Sequence, residues 1–190
     1  MSDAGLADLC FPPASPRAPL PAAAGLQARG IRVRPAANGD LPFFQSLYAA
    51  TRMEEAGVAA LPHSVRAAFL DSQFRLQHRH FVGHYPRADF LAVLRASPPF
   101  AARPIGRLYV DRARRHWHLI EIALVPDARG QALGSALIAW LAHAAREAGA
   151  SALTLQVAHD NPRAVALYER LGFVDQPATA PTHRRMICRA

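Results

Sequence analysis

Lysine is absent from this chain: all 22 basic residues are arginine. The absence excludes a P-loop, whose phosphate grip needs a lysine, and it excludes Schiff-base catalysis and self-modification on a lysine side chain. Cysteine is scarce. Cys10 and Cys188 stand near opposite ends of the chain, with neither metal-ligand spacing nor a disulfide framework, which suits a reducing, cytosolic compartment. No apolar run approaches the ~20 residues of a membrane-spanning helix, and no basic segment followed by an apolar stretch opens the chain. Neither membrane insertion nor secretion is expected. A G-x-G-x-x-G pattern is also missing, which disfavours a Rossmann dinucleotide site.

What is present reads as one folded domain. The 190 residues are 51% apolar and 19% charged, enough for a full hydrophobic core. The net charge of +8 is spread along the chain, and the abundance of Ala, Pro and Arg together is what a GC-rich genome produces. Arg112, Arg114 and Arg115 form the only tight basic cluster and lie between two strand-like runs, so a solvated hairpin tip is expected there and no nucleic-acid partner. Three histidines, His78, His80 and His84, sit close together, but no carboxylate or cysteine completes a ligand set. They are read as packing or cleft-lining residues, and no metal is expected.

Residues 1–30, rich in Pro and Ala, read as a flexible tail, with the domain proper at 31–190. Ile31 to Arg34 alternates as a first strand, and Asp40 can cap a helix that buries Leu41, Phe44, Leu47 and Tyr48. A second helix is predicted with Val65, Ala68, Phe69, Ser72 and Leu76 as its stripe, ending near His80 because Gly83 opposes a regular continuation. Three strands follow: DFLAVL, then IGRLYV after a Pro-rich connection from Ser97 to Pro104, then WHLIEIALV. In the third, Ile120, Ile122 and Leu124 should face one way, and Trp117, Leu119, Glu121, Ala123 and Val125 the other. Both faces are apolar apart from Glu121, so this strand should be central.

After it comes a turn with Gly130 and Gly134, then a helix carrying Leu133, Leu137, Trp140, Leu141 and Ala144 on one face and ended by Gly149. A turn that ends on a helix N-terminus presents unpaired N–H groups and the positive end of the helix dipole, which suits a phosphate or pyrophosphate. A strand from Ala152 to Ala158 should lie parallel to the central one through a right-handed crossover. Asn161 then caps a short helix with Pro162 at its first position, Ala164, Leu167, Tyr168 and Leu171 along its stripe, and Gly172 at its end. Met186 to Cys188 reads as a final edge strand.

The segment N-P-R-A-V-A-L-Y-E-R-L-G-F from Asn161 to Phe173, with R-G-Q-A-L-G-S from Arg129 to Ser135, resembles the GNAT superfamily of acetyl-CoA-dependent N-acetyltransferases. The resemblance extends in element order over Ile31 to Cys188 and is specific over Ile122 to Phe173. It implies an α/β fold of the α+β type: a bent mixed sheet, splayed in the middle and flanked by helices. It also implies that the pantetheine arm of acetyl-CoA lies along Ile122, Ala123 and Leu124, that the pyrophosphate sits on Arg129, Gly130, Gln131, Ala132, Leu133, Gly134 and Ser135, and that Asn161 lies near the pantetheine. Tyr168 matches the tyrosine that protonates the departing thiolate, with packing on the helix stripe as its other reading. Glu121 matches a glutamate base of some members, and a charge pair with an arginine such as Arg107 is the alternative.

One residue departs from the pattern: Ala132 stands where the turn usually has glycine. A Cβ at positive φ costs about 1 to 2 kcal/mol, whereas in a helix's first turn it is harmless; the helical placement is expected, because Gly130 and Gly134 remain. Ala132 is the only support for a second reading, a degenerate acyl-CoA-binding or regulatory module. The expected acceptor is a small-molecule amine, a peptide or a protein N-terminus. Residues 41–88 hold few acids beyond Glu54, Glu55 and Asp71, which disfavours a polycation. The oligomeric state is left open, with a homodimer among the options.

Overall fold

The computed structural model describes residues 9–13, 17–53, 56–97, 100–113 and 115–189. In chain order the elements are α1 (Ala24–Gln27), β1 (Ile31–Pro35), α2 (Leu41–Arg52), α3 (Ala56–Ala59), α4 (His63–His84), β2 (Asp89–Ser97), β3 (Phe100–Asp111) and β4 (His116–Leu124). Then follow α5 (Leu133–Glu147), β5 (Ala152–Ala158), α6 (Pro162–Arg170), β6 (Val174–Ala180) and β7 (His183–Arg189). The strands form one sheet in the order β1-β2-β3-β4-β5-β7-β6. β1 to β4 are antiparallel neighbours, and the crossover through α5 sets β5 parallel to β4, so the sheet is mixed as expected. β4 is the fourth of seven strands, where a strand apolar on both faces belongs.

Three strand expectations are corrected by bulges and edges. β3 begins at Phe100, inside the supposed Pro-rich connection: the register steps from Val93↔Gly106 to Leu94↔Pro104, and a bulge is where a ladder tolerates proline. A second bulge pairs Tyr109 with Glu121 and Val110 with Leu119, leaving Ile120 as the extra residue. It shifts the parity of β4, so Trp117 and Leu119 pack in the same core as Ile122 and Leu124, while Ile120 and Ala123 face the other way. The C-terminal strand is not an edge. β7 lies between β5 and β6, and β6 takes the edge, where Pro177 withholds no needed N–H.

One face of the sheet is covered by α5 and α6, which bury Leu137, Ile138, Leu141, Ala145, Val165 and Tyr168 against it. On the other face α2 buries Leu41, Phe44, Leu47 and Tyr48, as expected, against Leu70 and Phe74 of α4. The α4 stripe differs from the expectation. Leu70, Phe74 and His78 are buried, whereas Val65 is 51% and Leu76 57% exposed, because α4 packs by its more aromatic face. The helix also continues through Gly83 to His84; a mid-helix glycine costs about 1 kcal/mol, and Phe81 and Val82 pack beyond His80 against the sheet. Asp40 stands at the start of α2, but its carboxylate accepts from Ala37 N at 2.8 Å and pairs with Arg34 at 2.7 Å instead of capping α2.

The described part of residues 1–30 lies against the domain. Leu9 and Leu26 are buried, and the Phe11 ring meets those of Phe44, His78, Phe90 and Tyr109 at centroid distances of 4.9 to 6.4 Å. Trp140 Nε1 donates to Pro21 O, and Arg112 Nη1 to Ala18 O. Arg112 is no solvated tip. It pairs with Asp89 at 2.5 Å and lies over the Trp117 ring, and Arg114 is outside the described residues.

Two predictions follow from this packing. A Cβ on Gly106 would collide with the carbonyl oxygen of Ala123 and come within 2.6 Å of Leu124 Cδ2. Gly106→Ala should therefore cost about 1 to 3 kcal/mol of unfolding free energy in urea titrations. Burial, and secondarily the charge of Arg107, hold the His78 imidazole down at about 4, below its ordinary 6.5. Between those values the unfolded chain binds a proton that the folded chain refuses, so stability present above pH 6.5 is lost as the pH falls towards 4, by on the order of 3 kcal/mol. His78→Phe should flatten that limb of the stability profile.

Candidate functional site: a cleft where two strands part

The β4–β5 ladder runs only from His116↔Ala152 to Leu119↔Leu155. Beyond it the bulge at Ile120 turns β4 away, so Ile120 to Leu124 have no ladder partner on the β5 side among the described residues. The gap opens into a cleft of about 1270 Å³ between the two strands, closed by α2 and α4 on one side and by α6 and the start of α5 on the other. Ile122, Ala123, Leu124, Arg129, Gly130, Ala132, Leu133, Gly134, Ser135, Asn161, Glu121 and Tyr168 all line it. Gln131 does not. Its amide donates to Asp127 O and accepts from Arg95 Nη2 at 2.7 Å, on the outside of the turn.

The turn itself corrects the expectation for Ala132. It is not helical: at φ 56°, ψ 15° it occupies the left-handed region as the N-cap of α5, beside Gly130 at φ 72°. The alanine thus adopts the conformation for which the usual glycine is suited. Among the described residues no side chain caps α5, whose first turn, Leu133 to Ser135, lines the cleft. Arg129 Nε donates to Leu124 O at 3.1 Å, which ties the turn to the end of β4. An open strand edge, an uncapped fifteen-residue helix and a nearby arginine suit a long ligand with an amide-bearing arm and a phosphorylated end.

Across the gap, Asn161 caps α6 by accepting from Ala164 N at 3.1 Å, and the helix carries Tyr168 inward. Tyr168 is buried, and burial together with the Glu121 carboxylate raises its phenol to about 12. Glu121 itself has found the alternative partner. Its Oε1 accepts from Arg107 Nη2 at 2.9 Å, and the same nitrogen donates to Gln77 Oε1 of α4 at 2.7 Å. Arg107 is 2% exposed. Burial works against its charge, but Glu121 and the Tyr109 ring, 5.4 Å from the guanidinium carbon, hold it protonated.

At the far end of the cleft His80 is one of the histidines read from sequence as packing or cleft-lining, whereas Phe81, Tyr85 and His118 were not foreseen there. His80 and Phe81 of α4, Tyr85 just past its end and His118 of β4 line it there, with Tyr85 stacked on His118 at 6.1 Å and His80 on His84 at 5.5 Å. Burial lowers the His118 imidazole and raises the Tyr85 phenol, so both rings are neutral at pH 7. Ending the helix near His80 left Phe81 and Tyr85 unplaced, because the continuation of α4 through Gly83 is what carries them to this wall. Among the described residues no group of three or more His, Cys, Asp or Glu could hold a metal, and no helix is long and apolar enough to cross a membrane. Glu54 and Glu55 lie outside the described residues.

The acetyltransferase (GNAT) family model matches residues 45–173. Among curated proteins, the chain is 32% identical to a mycothiol acetyltransferase of Saccharomonospora viridis over 118 residues, 61% of this chain and 35% of that protein. It is 40% identical to the [ribosomal protein bS18]-alanine N-acetyltransferase of Escherichia coli over 73 residues, 38% of this chain and 47% of that protein. The chain thus spans about a third to a half of the length of these relatives. The fold is similar to that of a PaiA N-acetyltransferase of Thermoplasma acidophilum solved with coenzyme A, at TM-score 0.62 and 16% identity, covering 84% of this chain and 99% of that one. It is similar also to a spermidine N-acetyltransferase of Vibrio cholerae solved with CoA and spermine, at TM-score 0.59 and 20% identity, covering 85% and 96%.

Replacing Ala132 by glycine removes a Cβ from a left-handed residue. Ala132→Gly should stabilise the fold by about 1 kcal/mol, read as a melting temperature higher by ~2 to 4 °C.

Proposed function

The chain belongs to the acetyltransferase (GNAT) family, and on that premise we propose that it transfers an acetyl group from acetyl-CoA to a primary amine held with it in a ternary complex. The observation that carries the proposal is the parting of β4 from β5 after Leu119 and Leu155, next to the uncapped turn of α5. The open edge of Ile122, Ala123 and Leu124 would hold the pantetheine arm as an added strand holds to a sheet. Arg129 to Ser135 would receive the pyrophosphate on backbone N–H groups, with Gln131 bracing the turn from outside, and Asn161 would flank the arm. The two similar structures solved with coenzyme A support this assignment. We take the catalytic domain as residues 31–190, acting in the cytosol on a small-molecule amine, a peptide or a protein N-terminus.

Acetyl-CoA supplies an acetyl thioester, whose C–S bond is exchanged for the amide C–N bond of the product. Glu121 would take the proton leaving the amine nitrogen, on Oε2, since Oε1 is engaged by Arg107. Tyr168 would face the departing sulfur. At about 12 its phenol is present as a donor at every working pH but is a weak acid. Complete transfer to a thiolate of pKa ~8.5 is uphill by roughly 3.5 units, about 5 kcal/mol, so Tyr168 acts chiefly as a hydrogen-bond donor to the developing charge. A proton that it does pass on is replaced from water.

Calorimetric titration of acetyl-CoA, followed by free-thiol release over a panel of amines, tests the proposal. Binding with amine-dependent release is expected; binding without release would favour an acyl-CoA-binding module, and no binding would end both readings. Tyr168→Phe should lower kcat on the order of 10²-fold while sparing cofactor affinity. Glu121→Gln should lower kcat/KM mainly below the pKa of the amine. The wild-type pH–rate profile should show no falling limb from Tyr168 below about pH 11.

A further inference from the structure

The transfer chemistry makes no use of His118, yet the sheet holds its ring in one defined state. Its Nδ1 lies 3.1 Å from Thr154 Oγ1, and Thr154 Oγ1 lies 3.0 Å from Trp117 O. A carbonyl oxygen only accepts, so the one hydroxyl hydrogen of Thr154 goes to Trp117 O. Both contacts are then hydrogen bonds only if His118 Nδ1 carries the ring proton. The neutral imidazole is thereby kept in the tautomer whose lone pair is on Nε2. Thr154 is buried and stands opposite His118 in the β4–β5 ladder, so the sheet itself selects this tautomer. Nε2 has no hydrogen-bond partner among the described residues, but it is not sealed in. Both nitrogens of His78 are buried without a partner, whereas those of His118 are not, and His118 lines the cleft. Resting on the acetyltransferase proposal, we infer that His118 Nε2 is a specificity-determining acceptor, which takes a hydrogen bond from a hydroxyl or amide N–H carried by the amine substrate several bonds from its reacting nitrogen.

The spacing follows from the strand and the helix that carry the two ends of this wall. Glu121 stands three residues along β4 from His118, on the order of 10 Å at ~3.3 Å per residue. Both side chains are turned to the α4 side: Glu121 meets Gln77 through Arg107, and His118 is stacked on Tyr85 just past the helix end. From Gln77 to Tyr85 the helix advances about 12 Å at ~1.5 Å per residue, which keeps the two ends apart by a similar length. An amine held at Glu121 therefore reaches His118 through a spacer of several atoms.

Tyr85 adds a second polar group at the far end. Burial, and secondarily the Asp111 carboxylate, raises its phenol above the ordinary 10, so it keeps its proton and can donate to an oxygen of the same ligand group. Four influences act on the His118 ring. Burial is the largest and lowers it from 6.5, Asp111 opposite it on β3 and the bond to Thr154 raise it, and Arg185 of β7 lowers it. The net direction is down, so the lone pair on Nε2 is available from about pH 6.5 upward. A hydroxyl or an amide suits this pair of rings, because each can donate to Nε2 and accept from Tyr85.

Amines that share a spacer and differ only at the far end test the inference: an ω-amino alcohol, its methyl ether, which accepts but cannot donate, and the corresponding mono-N-acetyl diamine, each over a series of spacer lengths. Thiol release reads kcat and KM, and calorimetry on the protein–CoA complex reads acceptor binding without turnover. At the best spacer the alcohol or the amide should have a KM about 5- to 10-fold below that of the ether, with the difference in KM and not in kcat. A preference for the alcohol would assign a hydroxyl-bearing amine, and for the amide a peptide-like one. The ratio to the ether should be flat above pH 6.5 and fall below it, because a protonated Nε2 donates and no longer selects a donor. His118→Phe, which keeps a ring against Tyr85, should bring the ratio to about one, and Thr154→Val, which frees the tautomer, should lower it. Acetyl-CoA affinity, read by calorimetry, reports whether the cleft of each variant is intact; if His118→Phe does not fold, Thr154→Val and the wild-type pH dependence decide. A wild-type ratio near one at every spacer, or a ratio unchanged in the folded variants, would overturn the inference while leaving the acetyltransferase proposal standing. Failure to bind acetyl-CoA at all would remove both.

Discussion

Everything that makes this chain more than a sheet with helices depends on where two parallel strands stop pairing. β4 and β5 share four residue pairs and then part, and the cause is local: one extra residue, Ile120, against β3. A bulge increases twist and turns the strand it sits in. Here it leaves β4 hydrogen-bonded to β3 on one side and open on the other. A protein ordinarily covers or blunts such an edge, because unpaired backbone groups seek a partner. In this fold α2, α4, α5 and α6 wall the edge into a cleft, so the partner it can take is a bound chain of limited width.

The bulge also decides which residues meet. By shifting parity it brings Glu121 opposite Tyr109, and it places the Arg107 guanidinium where one nitrogen reaches both Glu121 and Gln77. A buried arginine is costly unless its charge is matched, and Glu121 matches Arg107 through Nη2 while the Arg107 Nε is left without a hydrogen-bond partner among the described residues. The same bond that stabilises Arg107 therefore fixes Glu121 in the cleft wall. Structural ion pair and proposed base, which sequence reasoning treats as alternatives, do not exclude each other here, since the arginine is held through one oxygen, Oε1.

Ala132 shows the opposite relation between sequence and site. Most sequence reasoning would place an alanine before a helix inside its first turn. The observed left-handed conformation means that the turn's shape is imposed by its surroundings: the α5 stripe anchored by Leu133 and Leu137 on one side, and the Arg129–Leu124 bond on the other. Local strain kept at a ligand-facing turn is a known habit of functional loops. It locates the constraint in the tertiary packing and not in the residue's own preference.

Much of this was legible in the residues. The alternation of β4 on two apolar faces made it central, the Gly130 to Gly134 turn marked a helix N-terminus, and the Asn161 to Phe173 segment carried cap and stop for α6 at their observed places, with Tyr168 on its buried face and Val165, outside the predicted stripe, beside it. These are short-range patterns, decided by periodicity and capping within a few residues, and such patterns survive in a linear reading. What the sequence could not decide is long-range. The bulge at Ile120, the face by which α4 packs, the insertion of β7 beside β5 and the left-handed Ala132 each depend on a neighbour distant in the chain. Composition and spacing by themselves determined a one-domain α/β chain with a phosphate-suited turn and a tyrosine-bearing helix. Only the tertiary structure decided that Glu121 carries an arginine and that the site it shares with Tyr168 is lined by rings and guanidinium groups, because those facts belong to residues brought together by the sheet.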